Sequence, residues 1–291
     1  MKAKQKILDV FPSLSPKLQA AARFVVDHPN EVVISSMRSL AERAGSQPAT
    51  FVRLAQQLGY AGWPDLKNAF ASDLGLAPEG YGQRAKSLAT RGSRRELLDE
   101  MFDVLRRNLD DTLAHSSAVL PRVAALMKKA PVVHVAGFRA SAPIAYSLFY
   151  GYRLFRRSVT LLDGQHGGLE MQARAVGRGD VVFIVSFAPY SREALEVMAA
   201  ARSAGAKIVA FTDSAASPLA LQADLAALFS VESPSFFPSV AAGVGLAEAL
   251  LELLVAAGGD EVASEIDRTE QTLFDCGAYL HQASRKLPPK P

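Results

Sequence analysis

Between Met37 and Tyr60 the apolar positions fall into two short runs at helical spacing. Leu40 and Ala44 form the first, and Phe51, Leu54 and Leu58 the second, so both runs present stripes to one core. Gly45 separates them, because a residue without a Cβ can take the left-handed turn that ends a helix. Ala41 is small enough for the second helix to approach, and Pro48 suits a first helical position, where no N–H is needed. The pattern predicts a helix-turn-helix. Gln47, Ala49, Thr50, Arg53, Gln56 and Gln57 lie off the buried stripe, on the face such a motif lays into a DNA major groove. Their short polar or bidentate groups suit base edges and phosphates. Spacing alone leaves a plain pair of packed helices equally open.

Around that motif the pattern is helical. Ser15-Pro16 reads as a cap and first-turn proline, opening a helix with Leu18, Ala22, Val25 and Val26 as its stripe; His28-Pro29 ends it. Leu66, Phe70 and Leu74 mark another helix over 63–74. Residues 75–92, with Gly75, Pro78, Gly80, Gly82 and Gly92, have the composition of a linker. Ser93-Arg94-Arg95-Glu96 is a capping-box sequence, and Leu97, Met101, Leu105, Leu109 and Leu113 predict one apolar face on the long helix that follows. A second helix over about 118–129 ends in Lys128-Lys129, where positive charge suits a helix C-terminus.

Beyond Pro131 short apolar runs alternate with helices. Strands are expected at 132–136, 159–162, 181–185, 208–211 and 228–231, which predicts a parallel five-stranded, doubly wound α/β sheet covered on both faces. Two helices, 240–257 and 260–281, close the chain, the second amphipathic through Val262, Ile266, Leu273, Cys276 and Leu280. The fold class expected is α/β with a separate all-α N-terminal domain. The divisions expected are 1–75, a connecting segment 76–125, 126–258, and a C-terminal helix and tail 259–291.

Composition refines the picture. Hydrophobic residues make up 49% and charged residues 21% of the 291, an ordinary globular balance. No basic-then-apolar leader opens the chain, so a cytoplasmic protein is expected. Glu248 and Glu252 interrupt the longest apolar run, favouring a buried helix over a membrane span. The single Cys276 excludes an intramolecular disulfide and a cysteine-cluster metal site, and its default role is a small core hydrophobe. No cofactor and no metal are expected. The net charge of +3 is uneven: residues 1–95 hold 14 Lys and Arg against 7 Asp and Glu, whereas residues 96–291 hold 18 against 22. The helix-turn-helix end is the basic end, as contact with phosphates requires.

In open α/β sheets ligands sit beyond the C-terminal strand ends, at loops leading into helix N-termini. Gly137 and Ser141 follow the first strand, Ser186 and Ser191 the third, and Thr212-Asp213-Ser214 the fourth. Together they form a plausible oxyanion cradle, although serines at such places also serve as helix caps. An aldose–ketose isomerase would need a general base. Glu232, Glu248, His134 and His166 are the candidates, none in a spacing that specifies catalysis, and His134 inside a strand reads as a core histidine.

The ordered segments Leu14-Ser15-Pro16, His28-Pro29, Ser39-Leu40-Ala41-Glu42, Pro48-Ala49-Thr50-Phe51-Val52-Arg53 and Leu58-Gly59-Tyr60-Ala61-Gly62-Trp63-Pro64 resemble the N-terminal domain of RpiR-type (MurR-like) bacterial transcriptional regulators. Gln47 stands where that family usually has a capping Ser. Residues 126–258, through Gly137-x-x-x-Ser141, Ser186-x-x-x-x-Ser191, Thr212-Asp213 and Ser217-Pro218-Leu219, resemble a sugar isomerase (SIS) domain. The resemblance implies that Ser141, Ser186 and Ser191 hold a sugar phosphate. The family's second loop reads Ser-x-Ser-Gly-x-Thr/Ser, and here Ala188 and Pro189 replace its middle serine and glycine. Two alternatives stay open: a phosphate held mainly by the first loop, or an acidic sugar lacking phosphate, with Tyr190 and Arg139 as replacement donors. The resemblance implies a double-stranded DNA operator, a sugar phosphate or related acidic metabolite, and a homodimer or homotetramer as partners, with no membrane. Residues 260–281 are the expected seam.

Overall fold

The computed structural model describes residues 2–73, 81–165 and 168–280. Six helices build the N-terminal part: α1 (Lys2–Val10), α2 (Pro16–Asp27), α3 (Pro29–Ile34), α4 (Met37–Arg43), α5 (Pro48–Gln57) and α6 (Trp63–Asp73). The predicted stripes do the packing. Ala22, Val25, Leu40, Phe51, Leu54 and Leu66 are all fully buried in one cluster, and Trp63 meets Phe51 edge-on at 5.1 Å. Two helices are additions to the sequence reading. The helix α1 packs Ile7 into the same cluster, and α3 fills the segment between α2 and the motif. Ser15 takes the N-cap position of α2, yet its hydroxyl makes no capping bond, a correction to the expected cap.

Residues 81–90, expected as linker, form the exposed helix α7 (Tyr81–Thr90). Gly75, Pro78 and Gly80, and the last residue of the helix expected over 63–74, lie outside the described residues. The expected capping box then opens α8 (Arg94–Ser116): Glu96 N–H donates to Ser93 Oγ at 3.3 Å, and Ser93 N–H to Glu96 Oε2 at 2.7 Å. After α9 (Leu120–Lys129) the chain alternates β1 (Val133–Gly137), α10 (Ala142–Arg153), β2 (Val159–Leu162), α11 (Gly168–Ala173), β3 (Val181–Val185), α12 (Arg192–Ala204), β4 (Lys207–Thr212) and β5 (Leu225–Leu228), and ends in α13 (Ala241–Asp275). The five strands are all parallel, in the order β2-β1-β3-β4-β5. Every residue of β1 and β3 is buried, because helices cover both faces. Val133, Val135, Phe183, Val185 and Phe211 face α9, α10 and α13, while Val182, Ile184 and Ala210 face α12.

Three expectations are corrected here. The fifth strand is Leu225–Leu228 and not 228–231: Phe229 N–H still reaches Thr212 O, but Ser230 N–H turns to Thr112 Oγ1 at 3.0 Å on α8. The face that α8 buries is only partly the expected stripe: Leu97, Met101 and Leu105 are half-buried beside the buried Val104, and the second half of the helix buries polar residues instead. Asn108, Thr112 and Ser116 are buried, whereas Leu109 and Leu113 are 47% and 65% exposed. The reason is the open edge of β5, whose Leu228 O and N–H are both met by Ser116 Oγ, at 2.7 and 2.8 Å. Asn108 Nδ2 likewise donates to Glu232 O at 2.7 Å. Cys276 is exposed, because the last part of α13 is only half covered, with Leu280 91% exposed. The two closing helices run as one helix broken at Gly259, whose φ of +59° and ψ of −147° are not helical. Ala242, Leu246, Leu250 and Leu254 of its apolar first half are core residues.

Candidate DNA-reading helix and anion-binding loops

In the two-helix motif, Gly45 has φ +58° and ends α4: Ser46 N–H donates to Ala41 O at 2.8 Å and Gly45 N–H to Glu42 O at 3.1 Å. Ser36 caps α4, its Oγ accepting from Ser39 N–H at 3.2 Å. Gln47 occupies the N-cap of α5 without a side-chain bond, so its amide is free, and Pro48 sits in the first turn. With Phe51, Leu54 and Ala55 turned inward, Gln47, Ala49, Arg53, Gln56 and Gln57 are exposed on one side of α5 and Thr50 is half-buried beside them. The six candidate residues therefore share a polar face backed by a rigid core. Electrostatics favour phosphates there, since Arg53 has no carboxylate partner among the described residues.

The sheet order places the topological switch between β1 and β3, where adjacent loops run to opposite sides and leave a crevice. The loops with the candidate serines are the two that leave these strands. In the first loop, Gly137 is required. A Cβ there would lie 2.6 Å from Ala145 Cβ and 2.9 Å from Ser141 O. Arg139 adopts a left-handed φ of +53° and extends into solvent, donating through Nη2 to Glu193 Oε1 at 2.8 Å. Glu193's own backbone N–H and then Arg139 hold its carboxyl below the usual range. Ser141 begins α10, only 4% exposed, and its hydroxyl has no partner among the described residues.

The second loop is different, because the oxygens of its serines already accept backbone N–H groups and its other donors meet a carboxylate. Ser186 Oγ accepts from Ser191 N–H at 3.2 Å, and Ser191 Oγ caps α12 by accepting from Ala194 N–H at 3.3 Å. Thr212 Oγ1 donates to Asp213 Oδ1 at 3.2 Å, Tyr190 OH to the same oxygen at 2.9 Å, and Ala188 N–H to Oδ2 at 3.2 Å. Burial, and next the charge of Asp213, raise the Tyr190 pKa, so the phenol remains a donor. Sequence reasoning placed Asp213 in the cradle but not as the carboxylate that gathers its donors. Beside this loop a cleft of about 620 Å³ separates the two domains, with Ser36, Ser39 and Lys67 on one wall and Pro189, Tyr190 and Arg192 on the other.

The candidate catalytic bases lie elsewhere. His134 is buried at the opposite strand ends, Nδ1 2.7 Å from Thr160 Oγ1 and Nε2 3.1 Å from Asp180 Oδ2, as a core histidine should be. Glu232 and Glu248 are exposed, and His166 lies outside the described residues.

An N-terminal helix-turn-helix domain joined to a parallel α/β sheet with serine loops at its switch point defines a protein of two modules, one shaped for DNA and one for a small ligand. Residues 1–76 match the helix-turn-helix domain of the rpiR family, and residues 126–254 match the SIS domain. The chain belongs to the RpiR family of helix-turn-helix transcriptional regulators that carry an SIS domain. An uncharacterised HTH-type transcriptional regulator of Bacillus subtilis, YbbH, is 25% identical over 221 residues, 73% of this chain and 74% of that protein. One of Caldanaerobacter subterraneus, TTE0211, is 23% identical over 231 residues, 79% of this chain and 80% of that protein. The fold is shared with the NanR protein of Vibrio vulnificus, solved in complex with ManNAc-6P, at a TM-score of 0.59 and 20% identity over 95% of this chain and all of that one. It is also shared with the sugar isomerase domain of an RpiR transcription factor from Sphaerobacter thermophilus, at a TM-score of 0.57 and 21% identity, over 60% of this chain and 99% of that one.

Proposed function

We propose that this regulator binds a double-stranded operator through α5 and that a small acidic sugar derivative, held at the β1–β3 switch point, controls that binding. The observation that carries the ligand half is Ser141: its hydroxyl has no partner among the described residues and stands at the N-cap of α10, beyond a strand end at the switch point, where a ligand can take it up. Gly137, Arg139, Ser186, Tyr190, Ser191 and Thr212 are the remaining ligand-binding candidates. Gln47, Ala49, Thr50, Arg53, Gln56 and Gln57 are the DNA-reading candidates. The protein acts in the cytoplasm, as a two-fold assembly that pairs two α5 helices on two half-sites. We assign residues 1–75 to DNA, 126–258 to the ligand, 76–125 to the connection between them, and 259–291 to a C-terminal helix and tail. The regulator reading is preferred to an isomerase, and it is supported by His134, which is held in the sheet by Thr160 and Asp180 away from the loops.

A thermal-shift panel of sugar phosphates and sugar acids, followed by electrophoretic shift with any stabilising compound, tests this. A ligand present at about a hundred times its Kd stabilises by about 2.7 kcal/mol. Ser141→Ala should abolish the shift and leave ligand-free operator affinity unchanged. Turnover of any aldose phosphate to its ketose would overturn the regulator-only reading.

A further inference from the structure

The two loops at the switch point offer different electrostatics to a ligand. Ser141 leaves its hydroxyl unused beside the N-terminus of α10, whereas the donors of the second loop converge on one carboxylate. Ala188 N–H, Tyr190 OH and Thr212 OH are the kinds of group that would otherwise hold a bound anion. Asp213 takes all three. An anion entering that loop would have to displace the carboxylate or sit against it, and like charges a few ångströms apart in a partly buried site repel.

We propose that Asp213 is a specificity-determining residue that closes the second loop to anions, so that the ligand's negative charge rests on the first loop and a hydrogen-bond-donating group of the ligand meets Asp213. This rests on the reading of the switch point as the ligand site. An ionised carboxylate offers roughly four acceptor positions. Two donors reach Oδ1 and one reaches Oδ2, so Oδ2 keeps one position for a further donor. A sugar hydroxyl or ammonium supplies such a donor without negative charge, whereas a phosphate brings its charge against the carboxylate. Ala188 and Pro189 act in the same direction, since they lack the hydroxyl and the N–H that could receive an anion. The ligand class is thus an acidic sugar with its acid at one end and donors at the other, oriented by charge.

The test uses the full chain, calorimetry, and two probes: inorganic phosphate, and glucosamine as a cationic polyol. In the wild-type background Ser141→Ala should weaken phosphate by at least about tenfold, while Ser186→Ala should change it little. Asp213→Asn should strengthen phosphate by about tenfold and weaken glucosamine, and adding Ser186→Ala should remove the phosphate gain. Equal losses in Ser141→Ala and Ser186→Ala would overturn the proposal while keeping the ligand site. So would an Asp213→Asn variant, folded by circular dichroism, with unchanged phosphate affinity. If Asp213→Asn does not fold, the wild-type comparison of the two serines decides. Phosphate affinity unaffected by either serine would overturn the ligand-site reading itself.

Discussion

The helices α5 and α8 both carry a stripe of large apolar residues and a polar face, yet α5 keeps its polar face free whereas α8 buries a polar row and leaves much of its apolar surface exposed. In α5 the stripe Phe51, Leu54 and Leu58 is in the core and the polar face is free. In α8 the apolar Leu98, Phe102, Leu109 and Leu113 are 47% to 65% exposed, and the polar Asn108, Thr112 and Ser116 are packed away. Around α5 the neighbours are helices, which satisfy their own backbone groups and offer only apolar surface. Beside α8 lie both α13 and a sheet edge, and the unpaired N–H and C=O groups of that edge draw polar side chains of α8 inward. Hydrophobic pattern predicts burial only where the partner is itself apolar.

This contrast can be broken by substitution. The largest effect is expected at Phe51→Ala, which removes a fully buried ring and should cost about 3–5 kcal/mol in denaturant unfolding. Ser116→Ala comes next. It leaves Leu228 N–H and C=O without their partner and should cost about 1–3 kcal/mol, a loss from a small polar residue that no stripe would predict. Equal stability of Ser116→Ala and wild type would remove the edge-capping role of α8. On the free side of α5, Arg53→Ala should leave the melting temperature in place but weaken a specific operator by about 1–3 kcal/mol if the guanidinium reads a base. A uniform loss across sequences with a shallower salt slope would make it a phosphate contact instead. The smallest effect is expected at Leu113→Ala, within about 0.5 kcal/mol of wild-type stability at concentrations where the chain is monomeric. A loss several times larger would mean that the stripe is covered after all.

The loops of the ligand site repeat the lesson at smaller scale. Ser141 and Ser186 both stand in strand-to-helix connections, the first closing the one after β1 and the second opening the one after β3. Their surroundings separate them, one hydroxyl idle and the other accepting from Ser191 N–H.

Local sequence was sufficient for much of this protein. The helix-turn-helix was legible because Gly45 and Pro48 punctuate two helical stripes, and local backbone preference fixes such a turn whatever surrounds it. The buried strands β1 and β3 were legible because unbroken runs of Val, Ile and Phe suit a sheet covered on both faces. The capping box at Ser93 and Glu96, and the outward face of α5, with five of its six candidate positions exposed, follow from spacing alone. The tertiary structure decided what depends on residues far apart in the chain. The end of β5 was set by Thr112 and Ser116, more than a hundred residues away. Strand order brought the loops after β1 and β3 side by side. The engagement of Asp213 with Ala188 and Tyr190 required β4 to lie next to β3. Hydrogen-bond satisfaction is a property of the assembled neighbourhood, and no periodicity along one segment carries it.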